Sequence, residues 1–545
     1  MLKSITKLEI IILFSLLFCN CAQVINLSGG KKDLSPPKLI EAIPNNNSVL
    51  FDSETISIRF DEFIKLNDLN NQLIICPKIK TNPEISVLGK ELMIRLKKED
   101  LLPNTTYRFY FGSSIIDMHE GNPLLNFEYV FSTGTILDSI KISGKALNAF
   151  NNKPLAKISI GLYENKNFND SIPFNNSPVY LTKTDEEGLF VLPKLPSKSF
   201  IAIAFLDKNK NNQVDGEIEK RGFLDHPLNL FRDTNLIFRV FDEIPSKSFV
   251  KKIISPYYGF IQIILNQKTL INIRPLLAIN AKNIFEINLK NEKDTVSIYY
   301  KNITDTLKLV LSYKNLIKTD TLIIPIPKEN NKKKLKSFET NLYSNILKLN
   351  DALKISFLNW MDTSNVNLNK IKWESKEDSL INYSSIKGKW INPFQYQIIN
   401  KLKQGANYKL KFDTLAFFDL KGNTNDSIRL NFKTQNKLDF GKVSLKMLFN
   451  KKQNHIIQLI DEKENIIKEQ SVPLSLSSSN SKTIDFIDIE PANYFLKIIY
   501  DTNENKKWDT GNFILKHQPE KVYIHSKQLK VVSDWEIEED IFIKE

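Results

Sequence analysis

Apolar and polar residues alternate along most of this chain. "TISIRF" (55–60), "YRFYFG" (107–112), "ISIGLY" (158–163), "VSIYY" (296–300), "LKISFL" (353–358), "YKLKF" (408–412) and "YFLKII" (494–499) repeat a character at every second position. A β-strand sends successive side chains to opposite faces, so this period predicts strands with one buried face. Turns such as "HEGN" (119–122), "DEEG" (185–188) and "LKGN" (420–423) separate them. Their Asn, Asp and Gly residues suit tight reversals. Beyond the N-terminal apolar run no stretch sustains a helical period. Short strands at regular spacing predict an all-β chain of sandwiches.

The pattern is written twice. "ISIRFDEFIKLNDLNN" (56–71) is echoed by "LKISFLNWMDTSNVNLNK" (353–370). The stretch from Leu101 to Gly134 is echoed by the one from Leu402 to Gln435. Both contain a turn, a tyrosine (Tyr107 or Tyr408), an alternating strand, an aspartate (Asp117 or Asp419), Gly-Asn, and a strand closing on Phe-x-Thr. Self-similarity at this scale means a repeated structural unit. The expected organisation is a leader at 1–20, a tether at 21–35, and sandwiches at 36–135 and 139–245. A central β domain of uncertain type follows at 250–328, then a second pair of sandwiches at 338–436 and 440–545.

The N-terminus adds a compartment. Lys3 and Lys7 precede an apolar run from Ile10 to Phe18, broken only by Ser15. A membrane-spanning helix needs about 20 apolar residues, so the run fits the core of a secretory signal. Cys21 follows where cleavage is expected, which predicts a bacterial lipoprotein whose N-terminal lipid sits on Cys21. The preceding Phe18-Cys19-Asn20 departs from the usual small residues, and an uncleaved anchor or plain secretion is the alternative. Once Cys19 leaves with the signal and Cys21 is acylated, Cys76 has no disulfide partner. It reads as a small buried apolar residue at a strand end.

Composition adds a foldable core: 42% hydrophobic residues, 10% aromatic, and only 17 glycines in 545 residues. The net charge of +13 comes from scattered lysines. The one dense run, "NNKKKLK" (330–336), reads as a solvated linker. A nucleic-acid footprint would gather Lys and Arg on one face, and no such stripe appears. No nucleic-acid partner is expected.

Two segments carry candidate chemistry. "DKNKNNQVDGEIE" places Asp207, Asn209 and Asn211 at the first, third and fifth positions of a calcium loop, with Asp215 at the ninth. "DTNENKKWD" repeats this with Asp501, Asn503, Asn505 and Asp509. Alternate oxygen side chains suit a hard cation, so a structural Ca2+ is the candidate cofactor of both loops. Asn212 stands where an EF-hand has glycine, and Ile218 where it has glutamate, so the loops are not EF-hands. Glu217 or Glu219 is left to close the shell. The alternative is an Asx-rich turn bonded to its own backbone.

No catalytic residue is assigned. The histidines at 119, 226, 455, 517 and 525 stand singly, without zinc spacing, and neither a nucleophile elbow nor a phosphate loop occurs. His119 beside Asp117 and Glu120 reads as a solvated turn, because the second copy has Lys421 in its place.

"IRFDEFIKL", "LPNTTYRFYFG", "IIDMHEGN" and "YVFSTG" resemble the SbsA-type bacterial Ig-like domain that begins lipoproteins of Bacteroidota. "ISGKALNAFNNKPLAKISIGLYE", "TKTDEEGLFVLPKL" and the C-terminal "YDTNENKKWDTGNF" resemble carboxypeptidase-regulatory or prealbumin-like β-sandwiches. The resemblance implies an outer-membrane lipoprotein, and the lack of an acid between Cys21 and Asp33 favours the periplasmic face. It supplies no reaction. The reading taken is a non-catalytic structural or assembly protein, anchored to the outer membrane by lipid and docking on an envelope protein or complex. A glycan- or peptide-binding module, with Trp360, Trp373, Trp390 and Trp508 as a platform, is the alternative. A hydrolase is the third reading.

Overall fold

The computed structural model describes residues 33–216, 219–276, 284–287, 293–303, 305–313, 319–327, 338–377, 380–384, 386–449, 453–473 and 481–543. The expected leader, Cys21 as the expected site of lipid, most of the tether, Glu217 and the lysine run at 330–336 lie outside the described residues.

Alternation becomes burial in register. In the strand Thr55–Phe60, Ile56, Ile58 and Phe60 are fully buried, while Thr55, Ser57 and Arg59 face outward. The same in–out pattern runs through Asn407–Phe412 and Thr306–Tyr313. Each apolar face needs a second sheet to cover it, and the chain supplies one every time. Between Leu39 and Ser132, a four-stranded sheet (order 39–43, 55–60, 91–95, 84–88) faces a three-stranded one (74–76, 106–110, 128–132). Between Ile140 and Val240, a three-stranded sheet faces a five-stranded one. The central region is also a two-sheet sandwich, with sheets ordered 250–257, 260–269, 293–300, 284–287 and 271–275, 306–313, 319–325. Helices among the described residues are single turns, Leu69–Gln72 and Ile172–Asn175.

The repeat seen in the sequence is a repeat of topology. The sheet order 39–43, 55–60, 91–95, 84–88 recurs as 338–340, 354–357, 395–398, 388–392. In Ile140–Val240 the first strand pairs parallel with the last, Ile142 opposite Thr234 through Asn148 opposite Val240. In Gly441–Ile543 the first strand again pairs parallel with the last, Lys442 opposite Glu536 through Phe449 opposite Ile543.

The matching sequence positions do matching work. Tyr107 Oη accepts the Leu102 N–H at 2.7 Å, and Tyr408 Oη accepts the Lys403 N–H at 2.7 Å. The threonine of each Phe-x-Thr donates to the same carbonyl position, Thr133 to Leu102 at 2.7 Å and Thr434 to Lys403 at 2.6 Å. The aspartates hold the Gly-Asn turns. Asp117 accepts the N–H groups of Glu120 (2.6 Å), Gly121 (3.0 Å) and Asn122 (2.5 Å). Asp419 accepts those of Lys421 and Asn423, both at 2.9 Å, with the Asn359 amide at 2.8 Å.

This corrects the reading of 117–120 as a wholly solvated turn. His119 and Glu120 are exposed, but Asp117 is 1% exposed, because three main-chain donors inside the turn need an acceptor. Burial alone would raise the Asp117 carboxyl, but the N–H groups of Asn122, Gly121, Glu120 and His119 outweigh it and hold it below the usual carboxylate range.

Neighbouring sandwiches touch through specific side chains. Cys76, 3% exposed, ends the strand Ile74–Cys76 and packs into the core of the next sandwich. Its Sγ accepts the Leu181 N–H at 3.2 Å, and burial pushes the thiol up to about 11. The central sandwich meets the second Ig-like unit through Tyr299 stacked on Phe394 (centroids 3.7 Å apart) and Lys301 over Trp360 at 4.7 Å.

Replacing either buried aspartate, Asp117→Ala or Asp419→Ala, leaves main-chain donors unpaired and should cost about 2–3 kcal/mol. Urea unfolding of the full chain checks this. Because the Asp117 carboxyl is held low, its stabilisation is present above the unfolded carboxylate pKa of about 3.9 and fades as pH falls through the lower folded value.

Candidate functional site: a loop built twice

Both aspartate–asparagine loops leave the central strand of a five-stranded sheet, one after Ser199–Phe205 and the other at the end of Asn493–Asp501. Asp207 Oδ1 accepts the Asn211 N–H at 3.1 Å and Oδ2 the Asn212 N–H at 3.1 Å. Asp501 does the same for Asn505 at 3.1 Å and Lys506 at 3.0 Å. Asn209 Oδ1 accepts from Asn211 N, and Asn503 Oδ1 from Asn505 N, both at 3.2 Å. Asn211 Oδ1 then accepts from Gln213 N, and Asn505 Oδ1 from Lys507 N, both at 2.8 Å. Across the loop, the side-chain amides of Asn209 and Asn211 donate to Asp215, and those of Asn503 and Asn505 donate to Asp509.

The backbone alternates to make this possible. Lys210 (φ 63°) and Asn212 (φ 56°) are left-handed, as are Glu504 (φ 62°) and Lys506 (φ 63°) at the matching positions. Asparagine at the sixth position signals this in the first loop. Nothing in the sequence signals it at Lys210, Glu504 or Lys506, where the hydrogen bonds on either side impose it.

A buried glutamate closes each loop. Glu219, 2% exposed, accepts the Lys208 N–H at 2.7 Å and the Asp215 N–H at 3.1 Å. Glu520, 6% exposed, accepts the Thr502 N–H at 2.7 Å and the Asp509 N–H at 3.1 Å, with the Thr502 hydroxyl at 3.0 Å. Desolvation raises the Glu520 carboxyl, against the pull of these donors. Glu219 was one of two candidates to close the first loop. Glu520 escaped notice because it stands eleven positions beyond Asp509, whereas Glu219 stands four beyond Asp215.

All eight expected ligand residues therefore come together, four in each loop, and each loop is knit by Asx turns. The donors are carboxylate and amide oxygens, which suit a hard cation. Among the described residues no three His, Cys, Asp or Glu side chains gather as a metal group. A cation here would draw on amide and main-chain oxygens as much as on carboxylates.

Other candidates lie apart. Trp373 is buried in the core of the second Ig-like unit, and Trp360, Trp390 and Trp508 are half-buried. Of the histidines, His119, His226 and His517 are exposed, while His525 Nε2 faces Glu539 at 3.8 Å. His455, 2% exposed, lies between Phe449 and Tyr500, with ring centroids at 4.7 and 5.1 Å, and burial pushes its imidazole down to about 4.

Two predictions follow from this geometry. Glu219→Ala and Glu520→Ala each strand two main-chain donors and should cost about 2 kcal/mol, read by urea unfolding. His455 is neutral in the fold and ordinary in the unfolded chain, so its contribution is full above about pH 6.5. It should be lost progressively as pH falls from there toward 4, and His455→Phe should flatten that part of the stability–pH curve.

Residues 33–133 match the model of the bacterial Ig-like domain. No curated protein matches the chain. Among solved structures, the S-layer protein rSbsC(31–844) is 12% identical, covering 92% of this chain and 68% of its own, with a TM-score of 0.14. BcpA, the major pilin subunit of Bacillus cereus, is 10% identical over 75% of this chain and 99% of its own, with a TM-score of 0.14. The FN1–FN3 domains of chicken CNTN1 are 10% identical over 52% of this chain and 97% of their own, with a TM-score of 0.13. These scores are too low to equate one arrangement of domains with another. The domain match and the paired sheets together make this an all-β chain of tandem Ig-like β-sandwiches that carries a bacterial Ig-like domain at residues 33–133.

Proposed function

We propose that the protein is a non-catalytic structural or assembly component of the bacterial envelope. It is an outer-membrane lipoprotein held through lipid on Cys21, with its sandwiches on the periplasmic face, and it docks on another envelope protein or complex. The observation that carries this reading is the repetition of one two-sandwich unit with the same strand order in both copies. Repetition extends a chain and multiplies sheet edges. Exposed edges suit partners that add a strand; Ile466–Val472 is such an edge, paired on one side only among the described residues and largely exposed.

Within this reading the paired loops hold structural Ca2+. Asp207, Asn209, Asn211 and Asp215, and likewise Asp501, Asn503, Asn505 and Asp509, would supply the oxygens, with the asparagine amides that donate to Asp215 and Asp509 turned to present Oδ1 to the ion. The ion would pin the end of each five-stranded sheet, at the weak affinity typical of extracellular sites.

Purification of the tagged full-length protein from gently solubilised membranes, in Ca2+ and in EDTA, tests the docking. The expected result is one envelope protein in stoichiometric yield. No partner in either buffer would sink the docking reading and turn attention to glycan binding. For the ion, millimolar Ca2+ should raise the melting temperature over EDTA by roughly 2–4 °C, and the pair Asp207→Asn with Asp501→Asn should abolish the rise. An equal rise in the double variant would place any Ca2+ elsewhere.

A further inference from the structure

The two loops align position for position from Asp207 to Asp215 and from Asp501 to Asp509, sharing Asp, Asn, Asn and Asp at the first, third, fifth and ninth positions, and then diverge. Only residues 216–218 separate Asp215 from its closing glutamate, whereas residues 510–519 separate Asp509 from Glu520. The longer segment packs on another sandwich. Phe513, 2% exposed, belongs to the core cluster of the sandwich at 140–240, nearly three hundred residues earlier in the chain. Its ring meets Phe223 edge-on at 5.5 Å and Phe174 at 6.0 Å.

Polar contacts set the register around that ring. Thr510 Oγ1 donates to the Asp242 carbonyl at 2.6 Å, and Gln518 Nε2 to the Phe223 carbonyl at 2.9 Å. Lys516 Nζ donates to Asp170 at 2.5 Å. The Phe513 N–H donates to the carboxylate of Glu243, which is 8% exposed and lies 3.5 Å from Arg221, itself 1% exposed. Gly511 passes so close to Phe241 that a β-carbon there would lie 2.4 Å from Cζ of the ring.

A second group of contacts lies beside the first. The turn Phe150–Lys153 of the earlier sandwich covers the outward face of the later five-stranded sheet. Lys497 Nζ stands 2.8 Å from the Phe150 ring centroid, and Trp508 meets that ring at 4.9 Å. Asn152 Nδ2 donates to the Val522 carbonyl at 2.8 Å, Asn151 Nδ2 to Glu464 at 2.9 Å, and Lys153 pairs with Glu464 at 2.5 Å. The covered face carries the apolar residues Ile456, Ile499 and Val522, all buried, beside the buried Lys497. Apart from each other, both sandwiches would leave large apolar side chains in water.

We propose that residues 510–518 are an intramolecular plug, and that Phe513 seated in the sandwich at 140–240 locks the last sandwich onto it. The partner this surface fits is the chain itself. The two ends of the repeat then move as one body, and residues 246–439 are carried as a closed loop between them. The loop motif has a structural part in this. Asp509 and Glu520 bracket the plug, and the Trp508 indole N–H donates to the Glu520 carbonyl at 3.0 Å, so the Asx framework fixes both ends of the segment that docks.

The test compares hydrogen exchange and small-angle scattering of the full chain with those of Phe513→Asp and Gly511→Val. Ile514→Asp serves as the control, because Ile514 lies in the same segment but is 55% exposed. Both docking variants should expand the chain and lower protection of the amides at 148–153, which are remote in sequence from the change, by roughly tenfold or more. The control should leave both unchanged. Neither Phe513 nor Gly511 belongs to the core of its own sandwich, so that sandwich should keep its own protection pattern, and this measurement separates undocking from unfolding. Three outcomes would overturn the proposal: native scattering that already shows separated ends, unchanged protection at 148–153 in both variants, or a native dimer with the plug seated between copies.

Discussion

Main-chain N–H groups captured by side-chain carboxylates hold the turns of this protein, and the sandwiches depend on them. A chain with 17 glycines in 545 residues must make tight reversals with ordinary residues, and each reversal leaves donors that no strand can satisfy. Asp117 and Asp419 collect them in the two Ig-like units, and Asp207, Asp501, Glu219 and Glu520 in the two loops. The charge strengthens each bond. It also explains why several of these carboxylates are buried without a cationic partner: the donors inside the turn replace the water that burial removes.

Once the turns are fixed, the period of two decides the rest locally. Ile56, Ile58 and Phe60 fall on one face because they alternate, and a second sheet must cover them. The five-stranded sheets of the sandwiches at 140–240 and 441–543 are more demanding. Their outward faces also carry apolar residues, such as Phe205 and Phe223 in one and Ile456 and Ile499 in the other. Each therefore needs a cover beyond its two paired sheets. In the first, the Ile172–Asn175 turn and Phe513 provide it; in the second, Phe150 and Trp508 do. The repeat thus carries its own reason for folding back on itself.

The two copies of the loop show how much local chemistry can be inherited while the use changes. The Asx framework is the same to within 0.1 Å in its principal hydrogen bonds, 3.1 and 3.1 Å from Asp207 against 3.1 and 3.0 Å from Asp501. The closing glutamate is retained too, although its position in the sequence has shifted. In one copy the framework ends a strand; in the other it also presents a segment that leaves the sandwich.

The sequence by itself determined the β class, the repeat and the positions of the loops, because each rests on short-range rules. Alternation is a property of neighbouring residues, and an Asx turn needs only a side chain and the backbone within about five positions. The echo of Tyr107, Asp117 and Thr133 in Tyr408, Asp419 and Thr434 was legible for the same reason. What only the tertiary structure decided lies at long range. Asp117 reads as solvated along the chain because the second copy has Lys421 in place of the adjoining His119, yet the main-chain donors of its own turn enclose it. Glu520 was hidden by the extra residues before it. Phe513, read along the chain, is the first of three consecutive apolar residues, with Ile514 and Leu515, and nothing local marks it as the one that is buried; its burial depends on a core formed by Phe223, Phe241 and Phe174, whose proximity follows from how the sandwiches stack.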